Sequence, residues 1–246
     1  MKVLLVYPQF PETFWNFKHA LRFIGKKAGN PPLGLLTVAG FLPREWELKL
    51  VDENVTPLTE TDIKWADYVM LSAMTVQKEA VRAIIERCKR QGKKLIAGGP
   101  LFTVDADQYP EIDHLVLNEA EVTLPRFLAD LERGSPGHLY TAGPGEWADL
   151  SQTPLPRWDL LNFKDYNAMA IQYSRGCPFD CEFCDITMLY GRRPRTKRKE
   201  QIVAELEALY RQGWRIPPGK GHGHPFRNIL LRLSRYRRNF RPGEYS

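Results

Sequence analysis

Lys2-Val3-Leu4-Leu5-Val6-Tyr7-Pro8 opens the chain as a short, almost unbroken apolar run stopped by a proline. A strand with one wet face alternates apolar and polar residues. A run without alternation needs cover on both faces, as in a parallel sheet held between helices. Outward from it the same kind of segment recurs. Trp46 to Val51 ends at Asp52, and Tyr68-Val69-Met70-Leu71-Ser72 stands alone. Lys94-Leu95-Ile96-Ala97 runs into Gly98-Gly99-Pro100, and His114-Leu115-Val116-Leu117 precedes Asn118-Glu119-Ala120-Glu121. Helical segments fall between them. Pro31-Pro32-Leu33-Gly34 leads into Leu35 to Leu42, with proline near the first turn. Val76 to Gln91 places Ala80, Ile84, Ile85 and Cys88 on one face and stops at Gly92. A further helix covers Leu124 to Leu131. Strands alternating with helices predict an α/β fold with a Rossmann-like, open, mostly parallel sheet. Ligands of such sheets bind at the carboxyl ends of the strands, near a switch in strand order. Here those ends carry Asp52, Ser72 to Thr75, Gly98-Gly99-Pro100 and Asn118-Glu119.

Two phosphate-binding signatures are absent. No G-x-G-x-x-G follows the first strand, which excludes a nicotinamide or flavin fingerprint. Gly213 to Lys220 has one residue too many for a P-loop and lacks Ser or Thr after the lysine. At 246 residues the chain exceeds the usual single domain. We therefore expect a sheet domain over 1–132, a linker over 133–167 rich in Gly, Pro, Ser and Trp, and a second unit over 168–214. The N-terminal run is too short for a signal peptide, and no stretch approaches the ~20 apolar residues of a membrane span. A cytoplasmic protein is the expectation, with cysteines kept for metal or catalysis rather than disulfides. Asn54-Val55-Thr56 is then a glycosylation sequon on paper only.

Three of the four cysteines sit in Ser174-Arg175-Gly176-Cys177-Pro178-Phe179-Asp180-Cys181-Glu182-Phe183-Cys184, spaced C-x3-C-x2-C. Ala168 to Tyr173 reads as a strand delivering this loop at its C-terminal end, where barrel folds place their chemistry. Gly176 and Pro178 favour a non-helical path around a compact group. Iron–sulfur clusters usually take four cysteines, so three thiolates leave one iron open to a small chelating molecule. A structural zinc site would need a fourth ligand. The remaining cysteine, Cys88, falls on the apolar face of a helix far upstream and reads as a core residue. After the loop, Gly191 to Lys199 is a basic run that reads as a solvated loop, with substrate phosphate or an acidic reductant as the competing roles. Glu200 to Gln212 is a helix with Ile202, Val203, Leu206 and Leu209 as its buried stripe.

The cysteine loop downstream of such a sheet resembles the cobalamin-binding radical S-adenosylmethionine (SAM) family, in particular enzymes of the hopanoid methylase type. Pro31 to Leu35, Gly98-Gly99-Pro100 and Asn118 to Glu121 are similar to loops of that family, which usually has Gly in place of Asn118. The likeness covers roughly residues 1–214 and implies that the second unit begins a partial (β/α) barrel. It implies a 4Fe-4S cluster on Cys177, Cys181 and Cys184, SAM on the open iron, and Phe183 beside the adenine. It also implies cobalamin against Ser72, Thr75, Gly98, Gly99, Pro100, Asn118 and Glu119. The implied activity is reductive cleavage of SAM with methyl transfer to a small-molecule or lipid substrate, supported by a flavodoxin- or ferredoxin-type reductant. One departure stands out. Domains that ligate cobalt from below use D-x-H-x-x-G, and the corresponding place reads Asp52-Glu53-Asn54-Val55-Thr56-Pro57. Cobalamin is therefore expected without a lower histidine.

The formal net charge of +6 belongs to the last 32 residues. Residues 215–246 carry seven Arg and one Lys against one Glu, which leaves 27 basic and 28 acidic residues before them. No further alternating pattern follows Trp214, and the shift towards Arg, Pro, Gly and His reads as a frameshifted end to a truncated barrel. A basic tail for nucleic acid is the competing reading. His222 and His224, without acidic or thiol neighbours, are not expected to hold a metal. A module that binds corrinoid or cluster without catalysis is the other alternative.

Overall fold

The computed structural model describes residues 1–13, 21, 23–179, 181–182 and 184–214. Phe183 and the tail 215–246 lie outside the described residues, and with them the readings made there.

Six parallel strands form one sheet in the order β2-β1-β3-β4-β5-β6. They are β1 (Lys2–Tyr7), β2 (Glu47–Asp52), β3 (Tyr68–Ser72), β4 (Lys94–Gly98), β5 (His114–Val116) and β6 (Leu139–Tyr140). The unbroken apolar character of β1 has a direct cause in the pleat. Successive side chains point to opposite faces. Leu4 and Val6 enter one core layer with Val69, Leu71, Leu95 and Ala97. Val3 and Leu5 enter the other with Met70, Ile96 and Val116. Helix α1 (Leu33–Phe41) and, beyond β5, Ala120–Glu132 cover the second layer. Helices α2 (Glu60–Trp65) and α3 (Lys78–Arg90) cover the first, followed along the chain by α4 (Pro100–Asp105) and by α5, which is Ala120–Glu132.

The face of α3 differs from its sequence reading in one residue. Val81, Ile84, Ile85 and Cys88 are buried and Ala80 only half-buried, because Val81, at i, i+3, i+4 and i+7 with the other three, lies at the centre of the stripe and Ala80 at its edge. Helix α2 falls between β2 and β3, where the sequence pattern announced no element. It is started by a capping box, in which Asp62 N donates to Thr59 Oγ1 (3.2 Å) and Thr59 N to Asp62 Oδ2 (3.0 Å).

The segment read as linker is packed. Leu139–Tyr140 adds a sixth strand beside β5, which two residues could not announce by pattern. Pro154 and Leu155 lie on α1 so closely that a Cβ on Gly40 would sit 2.6 Å from the Leu155 carbonyl oxygen. Trp158 joins Leu36 of α1 and Leu209 in a third apolar cluster.

Residues 168–173 do not form the expected strand. A strand exists only with a partner ladder, and the start of this run is tied elsewhere. Asn167 N donates to Ala28 O (3.0 Å) and Ala168 N to Gly29 O (2.9 Å). Pairing begins only at β7 (Ser174–Arg175), which runs antiparallel to β8 (Arg195–Thr196). Between them lie the cysteine loop and α6 (Ile186–Tyr190); α7 (Lys199–Arg211) follows. Its buried face is Ile202, Glu205, Leu206 and Leu209. Glu205 takes the inward place expected of Val203 and is paired with the equally buried Lys197.

Candidate functional site

Strand order reverses between β1 and β3: the chain leaves β1 for β2 on one side and returns to β3 on the other. Outside the carboxyl ends of these strands lies a cavity of about 340 Å³, at the place where open α/β sheets take ligands. Tyr7 closes the end of β1, and Ser72, Ala73 and Met74 that of β3. Gly98, Gly99 and Pro100 follow β4, and Asn118 to Glu121 follow β5. Pro31 to Leu35 and Val38 form the α1 side. The wall opposite is built by Gln172, Arg175 and Tyr190 of the second unit.

Glycine is required at two of these positions for space. A Cβ on Gly98 would lie 2.5 Å from the Val116 carbonyl oxygen, and one on Gly99, at φ +89°, 2.7 Å from Ser72 Oγ. Asn118 is the one non-glycine with positive φ among the described residues, at 62°. Asparagine tolerates that left-handed conformation better than most residues, which is why it can stand where the similar loops have Gly. Its side chain is spent on the loop after β6: Oδ1 accepts from Thr141 Oγ1 (2.8 Å) and Ala142 N (3.0 Å). Of the residues expected around cobalamin, Ser72, Gly98, Gly99, Pro100, Asn118 and Glu119 share this cavity. Thr75 does not; it is exposed on the 3-10 turn over Thr75–Gln77, outside the wall.

Asn54 does not face the cavity either. Its Nδ2 donates to Asp52 Oδ1 (2.7 Å) and Pro8 O (3.3 Å), while its Oδ1 accepts from Phe10 N (2.9 Å). It is a loop tie, and among the described residues no histidine lines the cavity. Asp52 also accepts from Tyr166 OH (3.1 Å). Burial raises the Asp52 carboxyl, and its bonds from Asn54 and Tyr166 only partly offset that. Burial, and then the charge of Asp52, push the Tyr7 phenol up to about 12.

The cysteine loop leaves the cavity wall at Arg175. Gly176 has φ +88°, and a Cβ there would meet Arg193 O at 2.3 Å. Cys177 N donates to Gly191 O (3.1 Å), so the loop closes at a neck formed by Gly176 and Gly191. All four cysteines are free; Cys181 is exposed, Cys177 and Cys184 half-buried, Cys88 buried. Among the described residues no three His, Cys, Asp or Glu side chains converge tightly enough to hold a metal ion. The structure thus brings the three thiols onto one neck-closed loop without drawing them to one point. Thiol ligands of this kind are organised by the group they bind. Gly176→Ala should open the neck, since the left-handed conformation alone costs a side chain about 1–2 kcal/mol and the clash with Arg193 adds to it. Limited proteolysis should then cut between 176 and 191 faster than in the parent chain; an unchanged rate would show that the neck does not depend on Gly176.

The neck is fastened to the cavity by charges that the sequence reading did not pair: it gave Glu119 to cobalamin and left Arg195 in a solvated loop. Arg175 donates to Glu121 through Nη1 and Nη2 (both 2.7 Å) and to Glu119 through Nη1 (3.1 Å). Arg195, its partner across β7 and β8, reaches both Glu119 oxygens (2.9 and 3.0 Å). Burial alone would raise the Glu121 carboxyl, but the bonds and charge of Arg175 bring it below the usual carboxylate range. The sequence shows a Glu-x-Glu at the start of α5 and an Arg next to Gly-Cys, but neither says that they pair.

Residues 27–128 match the B12 binding domain. Over 217 residues the chain is 48% identical to an uncharacterized methyltransferase of Synechocystis sp., covering 87% of this chain and 40% of that one. It is 35% identical over 217 residues to the hopanoid C-2 methylase of Rhodopseudomonas palustris, covering 87% and 41%. The fold is that of the radical SAM methyltransferase TsrM from Kitasatospora setae, solved with cobalamin and a [4Fe-4S] cluster bound. The TM-score is 0.56 at 15% identity, over 86% of this chain and 46% of that one. The chain spans about 40% of the length of the two curated relatives. With a B12 binding domain matched and hopanoid methylase homology over most of its length, the chain belongs to the cobalamin-binding radical SAM family.

Proposed function

We propose that this chain carries the corrinoid site and the cluster loop of a cobalamin-dependent radical SAM enzyme of the methyltransferase type. Residues 1–132 would form the corrinoid domain, 168–214 the cluster-bearing unit, and 133–167 the connection between them. One observation carries the reading. The switch-point cavity of the sheet is walled on its far side by Gln172, Arg175 and Tyr190, which flank the cysteine loop. Two cofactor sites therefore adjoin.

The residues fit both groups. Glycines that expose backbone, an apolar floor of Met70, Ile96 and Leu124, and a few polar edges suit a broad ring with amide side chains. Three free, accessible thiols suit an iron–sulfur cluster with one open iron, which would take SAM. Bound, the cluster supplies the electron that cleaves SAM and the corrinoid the methyl group to be transferred. The chain's own part is to bind and orient the two groups and to restrict water between them. No general base is assigned among the residues in the wall. The substrate would be a lipid or other small molecule, as the likeness to hopanoid C-2 methylase supports. A flavodoxin- or ferredoxin-type protein would deliver the electron in the cytoplasm. Among the described residues no helix is long and apolar enough to cross a membrane.

The test is hydroxocobalamin retention by the whole chain through gel filtration, followed by reduction to Co(II). With Asn54 tied to Asp52, Pro8 and Phe10, the paramagnetic resonance spectrum should show no splitting from an axial nitrogen. A nitrogen triplet, or failure to retain the corrinoid, would overturn the reading.

A further inference from the structure

The two sites just described are joined by a closed, buried charge network. Glu119 and Glu121 stand on either side of Ala120 at the start of α5, in the cavity wall. Arg175 and Arg195 are opposite one another on β7 and β8, the two strands that hold the neck of the cysteine loop. The side chains of Glu119 and Glu121 are 2% and 3% exposed and that of Arg175 is 11% exposed.

Two positive and two negative charges balance, and every carboxylate oxygen has a donor. Glu119 Oε1 accepts from both arginines, and its Oε2 from Arg195 and from Ala148 N (2.9 Å). Glu121 Oε1 accepts from Arg175 Nη2 and Thr153 Oγ1 (2.8 Å), and its Oε2 from Arg175 Nη1. The guanidinium planes are held as well. Arg175 Nε donates to Gln172 Oε1 (2.7 Å) and its guanidinium lies 6.0 Å from the centre of the Tyr190 ring; Arg195 lies 5.4 Å from that of Trp147. The same Trp147 ring occupies the space a Cβ on Gly191 would need.

We infer that Arg175 and Glu121 are positioning residues, which fix the neck of the cysteine loop to the mouth of the corrinoid cavity and make the order of each depend on the other. The bidentate fork between them fixes angle as well as distance, which a single charge contact would not do. Salt bridges at a protein surface contribute little. A largely buried set in which every carboxylate oxygen has a donor, with two members on each side of a boundary, instead selects one relative placement, because any other leaves a charge without a partner. By linkage, a ligand that orders the cavity wall must then also order the neck, and the reverse.

The consequence for binding rests on the corrinoid reading of the cavity, but the fastening itself does not. Hydrogen exchange on the whole chain separates the two. Without cofactors, Arg175→Ala and the milder Glu121→Gln should each speed exchange at the Cys177 amide, whose bond to Gly191 O closes the neck. The amides of β1, β3 and β4 should be unaffected, and Arg175→Lys should restore only part of the protection, having the charge without the fork. Addition of hydroxocobalamin should slow exchange at the neck in the parent chain and lose that effect in Arg175→Ala. Equal neck exchange in the parent and in Glu121→Gln would overturn the inference. So would faster exchange throughout the sheet in Glu121→Gln, because the pair would then serve general stability. If the parent chain retained no corrinoid, the functional reading would fail while the cofactor-free comparison still decided the fastening.

Discussion

Anaerobic reconstitution with iron and sulfide should load about four irons per chain, and alanine at any one of Cys177, Cys181 or Cys184 should bring that to near zero. Cys88→Ala should leave it unchanged. The contrast follows from where the thiols sit. Cys177, Cys181 and Cys184 lie on a loop closed at Gly176 and Gly191, all at least partly accessible. Loss of one from a three-thiolate set leaves two, too few to hold a cubic cluster against competing chelation or oxidation. Cys88 is fully buried among Ile84, Ile85 and Leu95 in the first core layer, and burial pushes its thiol up to about 11. A metal takes the thiolate, and near neutral pH this thiol remains protonated with no path to solvent. Iron and sulfide content of each variant, with the brown absorbance of the cluster, decides the matter. Iron retained by Cys181→Ala, or lost only on Cys88→Ala, would refute the ligand assignment.

The sheet was readable because its strands are buried on both faces. Lys2 to Tyr7, Tyr68 to Ser72 and Lys94 to Ala97 lack polar alternation for the reason that Leu4 and Leu5 enter opposite core layers. The cavity was readable as a place, because strand ends at a switch point bind ligands in such sheets, and Gly98-Gly99-Pro100 marked one. What the side chains do there was less readable. Asn118 and Glu119 line the cavity, yet each carboxamide or carboxylate is turned to structural partners 23 to 76 residues away in sequence. Spacing rules act over one helical turn or across one hairpin, and nothing local distinguishes Glu121 paired with Arg175 from a solvated glutamate. β6 escaped notice for a related reason, since two residues carry no period. Residues 168–173 erred the other way. Their pattern suits a strand, but pairing is a property of neighbours, and their start is bound to residues 28 and 29 instead.

Trp158→Ala should cost a large part of the stability, about 3–5 kcal/mol for a fully buried Trp. Trp158 is 2% exposed. It sits with Leu36 of α1 and Leu209 of α7, surrounded by Leu33, Leu50, Leu160, Phe163 and Met169. Its ring therefore fills the space where the second unit rests on the first. Truncation leaves a void lined by rigid helices and by the segment 158–171, which cannot collapse without disturbing α1. Trp158→Phe should behave very differently. The indole Nε1 is buried without a hydrogen-bond partner among the described residues, so its removal sacrifices no hydrogen bond and relieves an unsatisfied donor, which itself costs about 1–3 kcal/mol. Phenylalanine loses some contact area but keeps an aromatic ring against the same leucines, and the two effects oppose each other. Equilibrium urea unfolding should accordingly show a large fall in midpoint for alanine and a small change of either sign for phenylalanine. An alanine variant as stable as the parent would mean that the third cluster does not hold α7 to α1. A phenylalanine variant as damaged as alanine would mean that the indole nitrogen is hydrogen-bonded, through water or otherwise.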